Sequence, residues 1–187
     1  MSVGRRLFLA VPLDDDTRAG LLAHLEAHGG GRIPGSHVVP ANWHITLRFL
    51  GRIGDTARER VTGYLAGTLD VAPFRLGFGG LGAFPRPARA TVAWLAVRTG
   101  RQPLESLFAS CEEAARAAGL EPEERPFHPH LTLSRIRPPA AMTGLIDDFP
   151  PFPGRLDVER IVLYESRPRG GQPPDYVVIE EMDLPGA

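Results

Sequence analysis

From Asn42 to Phe49 the chain alternates strictly, with Asn42, His44, Thr46 and Arg48 on one side and Trp43, Ile45, Leu47 and Phe49 on the other. A period of two is the signature of a strand with one buried face. The pattern returns at residues 127–134, where His128, His130, Thr132 and Ser134 oppose Phe127, Pro129, Leu131 and Leu133. Strands are predicted in all at Leu7–Pro12, His44–Leu50, Phe74–Phe78, Ala90–Val97, His130–Ser134, Leu156–Tyr164 and Tyr176–Glu180. Helical spacing of apolar positions predicts helices over Asp15–His28, Asp55–Leu69 and Pro103–Ala118. The first two open on aspartates and the third closes on a glycine, as helix ends prefer. Proline-rich stretches at Phe84–Pro87, Pro138–Pro153 and Arg167–Pro174 read as loops. Strands and helices are mixed without strict alternation, which predicts an α+β fold with mostly antiparallel sheets and flanking helices. No linker of disordered composition divides residues 1–187, so one domain is expected. Each half carries a helix followed by a His-x-Thr strand, which suggests two lobes related by a pseudo-twofold axis.

Composition narrows the chemistry. The chain has 187 residues, 43% hydrophobic and 23% charged, with a net charge of -1. No global basic field exists to grip long nucleic acid, so any such contact must be local, to a short stretch or an end. All 21 basic residues are arginine. The absence of lysine excludes Schiff-base chemistry, a lysine-nucleotide intermediate and a P-loop. The single cysteine, Cys111, lies in a predicted helix and is expected to be buried and inert. Arg5 and Arg6 precede an apolar run, but Leu7–Leu13 is short, holds Pro12 and is followed by three aspartates. It reads as a buried opening strand and not as an export signal. No stretch reaches the roughly 18 apolar residues of a membrane span. The expectation is a monomeric cytoplasmic protein.

Two motifs mislead. Gly77–Gly82, "GFGGLG", matches a dinucleotide-binding pattern, but Pro85 and Pro87 forbid the helix that must follow, so a flexible turn is expected instead. His24 and His28 stand four apart on a helix without a third ligand, and a solvated helix face is the simpler reading. His37 falls in a loop and is assigned nothing.

The word His-x-Thr-Leu is written twice, at His44 and at His130, 86 residues apart. Two His-x-Thr pairs among six histidines arise by accident in roughly 3% of sequences of this composition, and the shared leucine lowers that further. Each strand would be rooted by its apolar face and would present an imidazole beside a hydroxyl on the other, about 6.6 Å apart. One neutral and one protonated imidazole make a general base and a general acid. On opposite sides of a phosphorus atom they serve an in-line displacement, with Thr46 and Thr132 donating to the non-bridging oxygens. Such chemistry needs no metal or other cofactor, and the sequence shows no carboxylate cluster of the two-metal kind.

The paired motifs resemble those of the 2H phosphoesterase superfamily, and more narrowly the RNA 2',3'-cyclic phosphodiesterases, also called 2'-5' RNA ligases. "HITLRFLG" and "FHPHLTLSR" carry the resemblance; "RRLFLAVPL", "GLGAFPRPARATVAWLAV" and "VLYESRPRGGQPPDYVVIE" support it. It implies two lobes facing across a central cleft and hydrolysis of a 2',3'-cyclic phosphate at an RNA end to a 2'-phosphate. By the same resemblance His44 is the proton donor to the 3' leaving oxygen and His130 the acceptor that activates water. The motifs' own symmetry does not decide between the two. Thr46 and Thr132 are expected to bind phosphate. Arg135 matches a commonly basic family position, and Arg48 shares the His44 face, so either could hold phosphate. His128 is expected at the cleft edge. Alternatives are a related phosphodiesterase acting on 2'-5' linkages or small cyclic nucleotides, with weak reversible ligation, or a non-catalytic RNA-end binding module.

Overall fold

A computed structural model describes residues 4–186. The elements run β1 (Arg5–Pro12), α1 (Asp15–Ala27), β2 (Ser36–His37), β3 (His44–Ile53), α2 (Asp55–Thr68), β4 (Phe74–Phe84), β5 (Ala90–Thr99), α3 (Arg101–Ala117), β6 (His130–Ala140), α4 (Thr143–Asp148), β7 (Arg155–Val158), β8 (Arg160–Arg169) and β9 (Gln172–Asp183). The strands form one antiparallel sheet in the order β7-β4-β5-β6-β3-β1-β8-β9, with β2 added to β6. Its two halves meet at β3 and β6, which share a single registered pair, Ile45 with Leu131. Those are the residues between His and Thr in the two motifs, so the repeated word sits at the centre of a sheet whose halves fan outward from it.

The helices follow from simple local causes. Asp14 caps α1, its carboxylate accepting from Thr17 N at 2.6 Å, and Asp15 and Asp16 complement the helix dipole. In α3, Leu104, Leu107, Cys111, Ala114 and Ala115 form a helical stripe that is fully buried. This helix packs against α2 and β3. Helix α1 packs toward the other half: Thr17 Oγ1 donates to Arg155 O at 2.9 Å, and His24 rests on Phe149 and Phe152.

Tertiary contacts overrode several sequence expectations. Gly77–Gly82 is strand and not a flexible turn. A Cβ at Gly82 would come within 2.2 Å of the Trp94 ring, so the glycine gives the indole its place across the sheet. The expected strand Leu156–Tyr164 is broken at Glu159 into β7 and β8, which pair with different neighbours, β4 and β1. The expected loops are shorter: β8 and β9 run on to a turn at Gly170 and Gly171, and α4 interrupts Pro138–Pro153.

The strict alternation also fails, at the same place in both motif strands. Along β1, Leu9 and Ala10 face Arg48 and Thr46, which leaves Leu47 as an extra residue. Along β5, Ala93 and Trp94 face Ser134 and Thr132, which leaves Leu133 extra. Each is a β-bulge, and it reverses the side on which the following residues lie. Leu47 and Arg48 are consecutively buried, as are Leu133 and Ser134.

Candidate active site

Ile45 and Leu131 are both wholly buried, and each such burial contributes about 2 kcal/mol to holding its strand in place. With them fixed, the pleat sends His44 and Thr46, and His130 and Thr132, into one cleft of about 840 Å³. The two imidazoles are held alike. His44 Nδ1 donates to Asn42 O at 2.7 Å, and His130 Nδ1 donates to His128 O at 2.6 Å. A carbonyl only accepts, so Nδ1 carries the proton in each neutral ring and Nε2 is left to accept or, when protonated, to donate. His44 Nε2 lies 3.0 Å from Thr46 Oγ1. No side-chain pattern marks either carbonyl, since Asn42 ends a 3-10 turn and His128 lies outside any strand.

Aromatic rings wall each imidazole. Phe8 lies 4.9 Å from His44 and Tyr176 5.3 Å, the latter edge-on. Phe84 stands edge-on to His130 at 5.0 Å, with Trp94 beyond at 6.0 Å. This burial penalises the imidazolium. It pushes His44 from 6.5 down to about 4, partly offset by the Asn42 carbonyl and reinforced by His130 and Arg135. His130 is lowered also, first by burial and then by His128 and Arg135, against the raising effect of the His128 carbonyl. Both rings therefore favour the neutral form.

The structure brings His44, Thr46, His130, Thr132 and Arg135 to this cleft, and does not bring Arg48 there. The Leu133 bulge turns Arg135 toward the cleft, where its charge acts on both imidazoles. The Leu47 bulge turns Arg48 the other way, so the expectation that Arg48 shares the His44 face is wrong. Arg48 is 7% exposed, its Nε donates to Glu112 at 2.5 Å, and its remaining nitrogens donate to the carbonyls of Phe49 and Glu121. The same inversion carries Phe49 into the cleft, although alternation had put it with the core. His128 lines the cleft edge as expected, edge-on to Phe84 at 5.3 Å and Trp94 at 5.1 Å. Sequence reasoning missed Phe8 and Tyr176: Phe8 sits in an all-apolar run that carries no face signal. At the rim, Arg125 holds the Glu123 carboxyl at about 2.

The remaining candidates stay apart. His24 is only partly exposed, with Nε2 donating to Pro150 O at 3.0 Å, so the solvated-face reading fits the exposed His28 but not His24. Cys111 is fully buried, which pushes its thiol up. Among the described residues, no three or more His, Cys, Asp or Glu side chains are grouped to hold a metal ion, and no helix is long and apolar enough to cross a membrane.

Known proteins resemble this chain in sequence and in fold. The family model of the 2'-5' RNA ligase superfamily matches residues 15–169. An RNA 2',3'-cyclic phosphodiesterase of Aeropyrum pernix is 37% identical over 130 residues, 68% of this chain and 72% of that protein. One from Escherichia coli is 33% identical over 135 residues, 72% and 74% of the respective chains. The crystal structure of E. coli LigT in apo form superposes with a TM-score of 0.80 and 28% identity, covering 98% of this chain and 99% of that one.

Proposed function

Because this chain belongs to the 2'-5' RNA ligase superfamily, we propose that it is an RNA 2',3'-cyclic phosphodiesterase, hydrolysing cyclic phosphate termini to 2'-phosphomonoesters. The observation that carries the reading is the convergence of His44, His130, Thr46, Thr132 and Arg135 on one cleft. The phosphate of the RNA end sits between the two imidazoles, its non-bridging oxygens facing the threonine hydroxyls and Arg135. His130 takes a proton from water as it attacks phosphorus, and His44 gives one to the departing 3' oxygen; these two roles rest on the family resemblance. A buried imidazole that favours the neutral form can still be the donor, because a bound phosphodiester anion opposes the desolvation and the Arg135 charge that depress it. Nothing in this scheme requires a metal. On this reading residues 1–187 act as one two-lobed domain with its site between the lobes, and the protein works as a cytoplasmic monomer.

The test is a short RNA ending in a 2',3'-cyclic phosphate, incubated with the protein in EDTA, with the phosphate position read by ³¹P NMR. Turnover to a 2'-phosphate supports the reading. A 3'-phosphate product, or tight binding without turnover, overturns it, the latter in favour of an RNA-end binding module.

A further inference from the structure

The bulges that turn Arg48 and Ser134 out of the cleft aim both at backbone that serves the opposite histidine. Ser134 Oγ donates to Pro34 O at 2.6 Å, in the segment that leads to Asn42 and hence to the carbonyl on His44. Arg48 donates to Glu121 O, and its partner Glu112 accepts from Glu123 N at 3.2 Å. That segment leads to His128 and hence to the carbonyl on His130. Each motif strand thus grips the lead-in of the other motif.

The two grips carry unequal weight. Residues 33–42 have other ties: Ser36 and His37 pair with β6, Val38 N donates to Leu133 O at 2.8 Å, and Asn42 Nδ2 donates to Pro174 O at 2.8 Å. Residues 121–129 belong to no strand. They hang on the Arg48–Glu112 pair at one end and on Phe127, stacked 4.5 Å from Phe108, at the other. Pro122, Pro126 and Pro129 remove backbone slack, so a shift at Glu121 is passed along toward His128. The guanidinium is planar, charged and buried, and serves three acceptors at once.

We infer that Arg48, although outside the cleft, is a positioning residue for His130: through residues 121–128 it sets the carbonyl that fixes the tautomer and direction of the His130 ring. The geometry stands alone, and its effect on turnover rests on the proposed function. The substitution Arg48→Lys keeps a charge opposite Glu112 but cannot reach all three acceptors. Arg48→Met removes the grip entirely, and Ser134→Ala is the control on the redundantly tied side.

Histidine-labelled full-length protein is observed by long-range ¹H–¹⁵N imidazole spectra, alongside steady-state kinetics on the cyclic-phosphate RNA. In Arg48→Lys the His130 ring is expected to show mixed tautomers while His44 keeps its wild-type signals. In the same variant kcat falls about tenfold, as misplacing a reacting group would cause, with KM within about twofold. Ser134→Ala should leave both rings unchanged. A wild-type His130 tautomer in both Arg48 variants, even with a lowered Tm, overturns the inference. So does an equal change at both rings, which would mean general loosening. Should the wild type fail to turn over cyclic-phosphate ends, the proposed function falls while the spectra still decide the role of Arg48.

Discussion

The two motif strands share a plan and differ in what they add to it. Both place a histidine over a carbonyl two residues back, both place a threonine beside it, and both bulge at the next leucine. Past the bulge they diverge. Strand β3 puts Phe49 in the cleft and Arg48 in the core, whereas β6 puts Arg135 in the cleft and Ser134 in the core. The pair of strands therefore divides the work: a shared frame orients two equivalent imidazoles, and one inequivalent position on each strand supplies charge on one side and an apolar surface on the other. A substrate with one anionic phosphate and one nucleoside suits a cleft that is symmetric at its centre and asymmetric at its edge.

The strongest test of the shared frame is its anchor. Ile45→Ala and Leu131→Ala should each lower stability by about 2–5 kcal/mol, the usual result of emptying a packed aliphatic site, measured by urea denaturation. Losses differing by more than about 2 kcal/mol would show that one strand alone roots the site. Next come the hydroxyls. Thr46→Val and Thr132→Val should each reduce kcat about a hundredfold, the effect of removing one transition-state hydrogen-bond donor, with little change in Tm. A large loss at one threonine only would confine the developing charge to one side.

Arg135→Gln should reduce kcat/KM about tenfold by removing one charge-assisted contact to phosphate, whereas the corresponding change on the other strand, Phe49→Leu, should leave the response to phosphate charge intact. Inhibition by inorganic phosphate separates the two: it weakens in the first variant and not in the second.

The smallest effects are those of pH. Both histidines are lowered from 6.5 in the free protein, His44 to about 4, so the free enzyme loses its one required proton below the usual histidine range. The kcat/KM maximum should then lie below pH 6.5, and Arg135→Gln should move it upward, because the arginine lowers both rings. Stability responds to the same shift in the opposite direction. Between pH 6.5 and about 4 the unfolded chain binds a proton at His44 that the folded chain refuses, so stability falls as pH falls through that window. His44→Asn should flatten this part of the stability profile.

Much of the site was legible in the sequence because it depends on a period of two over three residues, His-x-Thr, and no neighbour disturbs it there. Arg48 and Phe49 were misread one step later. The inversion comes from how β3 pairs with β1, a long-range register that no local pattern encodes. The same holds for Gly82, which pairs in register with Trp94 on the adjacent strand and leaves room for its ring, and for Glu159, where the chain passes from pairing with β4 to pairing with β1. Arg135 was singled out through resemblance; the bulge supplies the physical reason that it, and not Arg48, reaches the cleft. The three long helices were legible to within about two residues, since their buried stripes and ends are local, whereas α4, inside an expected loop, was not.

The most direct test of the central claim compares wild type, His44→Ala and His130→Ala on two RNA ends, one with the natural cyclic phosphate and one whose 3' bridging oxygen is sulfur. Both variants should lose at least about a hundredfold on the natural end, as loss of a general acid or base requires. Sulfur leaves without a proton, so it should restore His44→Ala alone. Wild-type turnover by either variant on the natural end would contradict paired catalysis, and rescue of His130→Ala in place of His44→Ala would reverse the two roles.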